Sequence, residues 1–175
     1  MTLALQQPAP VTPAGFATIF EEHAPFVLRV LRHLGVADRD LQDQSQEAFV
    51  AVFRGLEGFG GRSSLRTWIY GICLRVASNY RRRAYIRSER PAAELPERPD
   101  PSDPVAERQE WSALSRLLDR LDADKREVFV LYELEELSMK EVAEACDCPL
   151  QTAYSRLHAA RRRLLEEYRR QEESR

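Results

Sequence analysis

Lysine is nearly missing from this chain: only Lys125 and Lys140 stand among its 26 basic residues, leaving 24 arginines. That skew fits either codon bias in a GC-rich genome or phosphate contact through planar guanidinium forks. Cysteine is scarce as well. Cys73, Cys146 and Cys148 are too few and too irregularly spaced for a disulfide framework, which points to a reducing cytoplasm. No apolar run approaches the roughly 18–20 residues of a membrane span, so no membrane insertion is expected. Residues 1–15 lack the basic start of a secretory signal. Strand-like alternation is missing over any useful length. The three histidines, His23, His33 and His158, lie far apart, and Cys146-x-Cys148 has no partners for zinc. No metal or cofactor is therefore expected. Paired carboxylates and a nucleophile–base pair are missing too, so the chain is not expected to be an enzyme.

What is present is segregated charge. The total of 28 acidic and 26 basic residues gives −2, a sum with no hint of polyanion binding. By segment the picture changes: residues 1–61 carry −3, 62–90 carry +7, 91–109 carry −3, 110–148 carry −6 and 149–175 carry +3. Two basic blocks set between acidic ones are the pattern of a two-site polyanion binder.

Proline marks the organisation. Five of the ten prolines fall at positions 91, 96, 99, 101 and 104, within an acidic stretch that has little to bury. Residues 88–106 are read as a linker and 1–13 as a disordered tail, leaving domains at 14–87 and 107–175. Lobes of roughly 70–90 residues build small cores and enclose no large catalytic pocket. Helical spacing recurs in both. Phe16, Ile19, Phe20, His23, Val27, Val30, Leu31 and Leu34 form one stripe, with Pro25 as a kink or a fresh helix start. Leu41, Ala48, Phe49, Val52 and Phe53 form a second, and Leu65, Trp68, Ile69, Ile72, Cys73, Val76 and Tyr80 a third. The fold class is all-α: two small helical bundles on a Pro-rich acidic tether.

In the second lobe, Ser138-Met139-Lys140-Glu141 is a capping box. The short helix it starts stops at Asp147-Cys148-Pro149, and Pro149 suits the first position of a new helix. A second helix, rich in arginine, runs from Leu150 to about Arg170. Two helices joined so tightly make a helix-turn-helix whose second member reads DNA. At 100° per residue, Leu150, Ala153, Leu157, Ala160 and Leu164 face the core. Gln151, Ser155, Ala159 and Arg162 lie opposite, flanked by Thr152, Arg156, His158 and Arg163, with Tyr154 on the border. Small and polar residues admit the backbone to a major groove, and arginines reach bases or phosphates.

In the first lobe, Gly58-Phe59-Gly60-Gly61-Arg62-Ser63-Ser64-Leu65-Arg66-Thr67-Trp68 combines flexibility, hydroxyls, arginines and aromatics. Such a loop suits an unstacked base, and the helix after it ends in Arg81, Arg82, Arg83, Arg87 and Arg90. The helix before it carries Asp38, Asp40, Asp43 and Glu47, an acidic face that repels DNA and suits either a protein partner or solvent.

These residues together resemble the extracytoplasmic-function group of sigma-70 RNA polymerase sigma factors, over residues 16–87 and 108–170. Residues 43–49 match its D-x-x-Q-E-x-F helix, and residues 66–70 its R-T-W-aliphatic-Y segment. Residues 152–161 match its T-x-x-S-R-L-x-x-A-R recognition helix. The resemblance implies a protein that binds core RNA polymerase and directs promoter recognition, DNA opening and initiation. It implies that Asp43, Gln46, Glu47 and Phe49 meet the clamp helices of the large subunit. Arg62, Ser63, Ser64, Arg66, Thr67, Trp68, Arg75, Asn79, Arg82 and Arg83 would hold the −10 element. Gln151, Thr152, Tyr154, Ser155, Arg156, His158 and Arg162 would read the −35 element while the second lobe docks on the polymerase flap. An anti-sigma factor is a further expected partner. Asp147 stands where the family usually has a turn glycine, and Tyr154 where it usually has lysine.

Overall fold

The structure is a computed structural model that describes residues 13–88 and 105–173; of the expected tail at 1–13 and linker at 88–106, residues 1–12 and 89–104 lie outside the described residues, while 13, 88, 105 and 106 belong to helices. Seven α-helices and no strand occur among them. Helix α1 (Pro13–His33) is continuous, and Pro25 lies inside it rather than starting a new helix. The carbonyl of Glu21 thereby loses its helical partner, which is tolerable because both residues face solvent. The helix ends in a left-handed turn. Gly35 takes φ +92°, Val36 N–H donates to the Leu31 carbonyl at 3.1 Å, and the chain reverses.

Helices α2 (Leu41–Gly55) and α3 (Leu65–Ser88) complete a three-helix bundle. Its interior holds Val27, Val30, Leu31, Leu34, Ala48, Phe49, Val52, Ile69, Ile72, Cys73 and Val76 from the apolar stripes expected from spacing, whereas Phe20 and Phe53 of those stripes stay exposed at the bundle's edge. Helix α3 is capped by Ser64, whose Oγ accepts from Thr67 N–H at 3.0 Å. Full burial pushes the Cys73 thiol up to about 12, helped by the Glu135 charge.

The second lobe comprises α4 (Val105–Leu118), α5 (Ala123–Phe129), α6 (Met139–Ala145) and α7 (Leu150–Glu173). The Ser138 capping box forms in full: Ser138 Oγ accepts from Glu141 N–H, and the Glu141 carboxylate accepts from Ser138 N–H at 2.9 Å. After α6 the chain turns at Asp147, with φ +49°, while Cys148 N–H reaches the Ala143 carbonyl at 3.0 Å. This is a glycine-type helix stop made with aspartate, one of the few side chains that tolerate the left-handed region. Pro149 sits one place earlier than the first helical position: its carbonyl accepts from Thr152 and Ala153 N–H.

The two lobes share one apolar core, with α3 packed on α6, and Gly71 lets them approach. A Cβ at Gly71 would sit 3.3 Å from the Ala145 carbonyl oxygen. Between α5 and α6, residues Val130–Leu134 form a wide π-helical turn, closed by Glu135 N–H on the Val130 carbonyl at 3.0 Å. It aims Glu135 into the first lobe, where the carboxylate is buried against Arg29, His33 and Tyr70. Burial alone would raise the Glu135 carboxyl, but hydrogen bonds from His33 and Arg29, the Arg29 charge and the Tyr70 hydroxyl outweigh it and hold it at about 2. Its ionised form is thus the one the fold favours. Its contribution is complete above pH 4.5 and is lost as pH falls toward 2. Acid titration of the melting temperature should show this fall, shallower in Glu135→Gln than in the parent chain.

Candidate nucleic-acid interface

Three surfaces collect the residues singled out by sequence. On α2, Asp43 and Gln46 are exposed and Glu47 is half-buried, on adjoining turns of one side. Glu47 also pairs with Arg83 of α3 at 3.3 Å. Phe49 is not on that surface. Its ring is buried, tilted against Phe20 at 4.6 Å and edge-on to Phe16 at 6.5 Å, so it supports the face from below. Sequence reasoning missed Val50 and put Phe53 in the core-facing stripe; they are 47% and 52% exposed on the same helix. Val50 lies seven residues after Asp43 and three after Glu47, so helical spacing from the acidic residues was the signal that could have found it.

The second surface runs from the glycine loop along α3. Gly61 takes φ +65° and Arg62 is exposed at the loop tip. Trp68 is half-buried: its ring lies 5.1 Å from Phe59 and fills the space above Gly55, where a Cβ would meet it at 2.8 Å. The loop residues divide by role. Ser64 and Thr67 are spent on the cap of α3, their hydroxyls 2.8 Å apart, and Thr67 is only 2% exposed. Ser63 Oγ turns back to the Ser64 carbonyl. The Arg66 guanidinium lies over the Phe26 and Tyr70 rings and donates to the Tyr70 hydroxyl at 3.1 Å. Further along, Arg75, Asn79 and Arg82 repeat at helical spacing, with Arg82 donating to Asn79 Oδ1 at 3.0 Å. With exposed Arg83 beside them they make a cationic strip that a phosphate backbone can follow.

The third surface is α7. Gln151, Tyr154, Ser155, His158, Ala159 and Arg162 line one shallow open groove. Ala153, Leu157 and Ala160 are buried on the opposite side, as the angular reading expects. Leu150 departs from it, being 47% exposed at the very start of the helix where the lobe no longer covers it. Thr152 is half-buried. Arg156 lies off the exposed line, held by Asp124 of α5 at 3.1 Å. A second groove continues past Arg162 and Arg163 to Arg120 and Lys125, two cations of the acidic 110–148 segment that its net charge hid. Cys146, in the turn before α7, has its thiol pushed up to about 12 by burial and the Glu127 charge, so it is a protonated packing residue at neutral pH. No cluster of metal-ligating side chains occurs among the described residues.

Comparison with known proteins finds a match in each lobe. Residues 19–85 match the family described as Sigma-70 region 2, and residues 111–164 match Sigma-70, region 4. The ECF RNA polymerase sigma-E factor of Escherichia coli (strain K12) is 32% identical over 141 residues, covering 72% of each chain. The chain is an ECF sigma factor of the sigma-70 family. The ECF sigma-E factor of Haemophilus influenzae is 33% identical over 141 residues, covering 72% of this chain and 73% of its own. Two solved structures share the fold. CnrH in complex with the cytosolic domain of CnrY superposes with a TM-score of 0.69 at 23% identity, covering 90% of this chain and 89% of that one. The sigma factor RpoE in complex with the anti-sigma factor NepR, from Bartonella quintana, gives 0.67 at 21% identity, covering 86% and 94%. As an ECF sigma factor, the chain directs promoter recognition and transcription initiation with core RNA polymerase. A helix-turn-helix regulator acting without polymerase is not favoured, because it leaves the whole region 2 match without a use.

Proposed function

We propose that the three surfaces divide the work of initiation between the two halves of the chain. Residues 14–87 form the unit for core polymerase and the −10 element, and 107–175 the unit for the −35 element. The α2 face, with Asp43, Gln46 and Glu47 and the apolar Val50 beside them, meets the clamp helices of the large subunit. The loop tip at Arg62 and the strip of Arg75, Asn79, Arg82 and Arg83 hold the opened −10 strand, with Trp68 and Phe59 as the apolar wall for a flipped base. The α7 groove enters the −35 major groove, while Arg120, Lys125 and Arg163 take flanking phosphates, and the second lobe rests on the polymerase flap.

The observation that carries this reading is the groove on α7. Polar and cationic side chains share one exposed helical side there, on a helix positioned by a capped partner and a tight turn. An anti-sigma protein is the natural regulator, since the RpoE relative was solved in complex with the anti-sigma factor NepR. The site of action is the cytoplasm, and the nucleoid once polymerase is bound; no helix among the described residues is long and apolar enough to cross a membrane. The family is not known for enzymatic activity, and bond-making belongs to the polymerase. A run-off assay with core polymerase and fragments of the source genome tests the proposal. New start sites that depend on this protein support it, and an unchanged transcript set refutes it.

A further inference from the structure

Four arginines fall between residues 150 and 164 of α7, and only Arg162 lines its groove. Measured around the helix from Gln151 at about 100° per residue, Arg162 falls about 20° away, whereas Arg161, Arg163 and Arg156 fall about 80°, 120° and 140° away. Each of the three outlying guanidiniums meets an acid of this chain. Arg156 pairs with Asp124 at 3.1 Å, Arg161 with Glu133 at 2.6 Å and Arg163 with Glu167 at 3.0 Å. Arg161 also lies over the Tyr132 ring. No ion pair holds Arg162 among the described residues.

The rest of the groove is poor in groups that select guanine. Guanine presents two acceptors in the major groove, N7 and O6, and is read by a fork of donors. Ser155 has no donor left for them, because its hydroxyl already donates to the Thr152 carbonyl at 2.9 Å. Ala159 offers only a methyl, and Tyr154, 43% exposed on the other flank of the line, offers mainly a ring; both suit the C5-methyl of thymine. His158 has a ring N–H for a purine N7, an acceptor that adenine and guanine share. Gln151, exposed at the start of the line, carries the amide that pairs with N6 and N7 of adenine. From Gln151 to Arg162 the helix rises about 16 Å, the length of about five base pairs.

We infer that this chain reads a −35 element with adenine at the Gln151 end, a single selected guanine at the Arg162 end and A·T pairs between them, and that Arg156, although part of the recognition motif, reads no base. The inference rests on the sigma-factor reading above and names the class of sequence that its α7 groove takes. For Arg156 the angle and the ion pair act together. Its side chain is 29% exposed and directed at α5, so reaching a base would require it to leave Asp124 and cross to another side of the helix. Arg162 needs no such change: it stands in the middle of the exposed line, with its guanidinium available to one guanine.

The test uses the full chain assembled with core polymerase, on a promoter found by the run-off assay and randomised over its upstream element. Sequencing the DNA that the assembled enzyme retains gives base preferences as ratios, which a change in protein stability or in affinity for core leaves in place. The unaltered chain should enrich adenine at one end of the element and guanine at the other. Each should exceed the next base by about 10-fold, the discrimination of one good bidentate contact. Arg162→Ala should level the guanine, Arg162→Gln should turn it toward adenine, and Gln151→Ala should level the adenine at the opposite end. Arg156→Ala should keep every preference. A flat element, or an interior G·C pair enriched as strongly as the end pair, would overturn the inference. So would Arg162 variants that weaken all sequences equally, the mark of a phosphate contact, and so would an Arg156→Ala chain that relaxes any position. Failure of the sigma-factor reading looks different: adding the chain to core polymerase retains no further DNA, whatever its sequence.

Discussion

Exchanging Gln46 for alanine and Glu47 for lysine should weaken core polymerase binding strongly and leave the fold intact. Central residues of a protein interface typically cost 2–4 kcal/mol when altered, so the pair should weaken association by about 30- to 1000-fold. The reversed charge at 47 adds repulsion to whatever basic surface the acidic face meets. Stability should change by less than about 1 kcal/mol, because the Glu47–Arg83 pair it breaks is solvent-exposed and screened. Binding of the double variant to core, with Arg83→Ala as a control that breaks the same pair without touching α2, separates the two effects. A double variant that still assembles at parental affinity places the polymerase contact elsewhere.

The largest expected loss of stability lies at Arg126. This guanidinium is 5% exposed, and burial lowers its pKa, with Asp119 opposing the shift. It donates to the His33 carbonyl at the C-terminal end of α1, where a cation also meets the negative end of the helix. Nη1 meets Asp119 at 2.7 Å. The head lies against Gly35, whose missing side chain makes the room: a Cβ there would be 3.1 Å from Nη1. Arg126→Ala removes two charge-assisted hydrogen bonds and the packed stem at once. A hydrogen bond to a charged group is worth roughly 1.5–3 kcal/mol, and Asp119 stays partly hydrated, so about 3 kcal/mol is expected in total. Melting should fall by about 6–12 °C for a chain of this size. A shift under about 2 °C would show that the buried cation contributes nothing net.

Local order was easy to read from this sequence, and long-range order was not. The Ser138 capping box, the stop at Asp147 and the buried side of α7 follow from neighbours within about one helical turn, and each forms as its residues require. The exposed line on α7 was legible for the same reason. Phe49 and Thr67 carry family-motif positions yet lie buried, because a motif records residue type and not which side of the helix the bundle covers. Glu135 was out of reach altogether. Its partners are 65 to 106 positions away, and the π-helical turn that aims it breaks the 3.6-residue spacing on which face assignments depend. The docking of the two lobes was equally out of reach, because it depends on an apolar core drawn from both, a close approach at Gly71 and a few buried charges that lie far apart in the sequence.

Gly71 puts the relation between the lobes into terms of thickness. At the crossing of α3 and α6 only backbone and a hydrogen atom separate the two, and a single methyl would already stand 3.3 Å from the Ala145 carbonyl. Each carbon added at position 71 acts as a shim between the helices. It would touch neither the α2 face, nor the loop tip, nor the α7 groove. The spacing of the lobes can therefore be varied at one residue, independently of the surfaces assigned to polymerase and promoter.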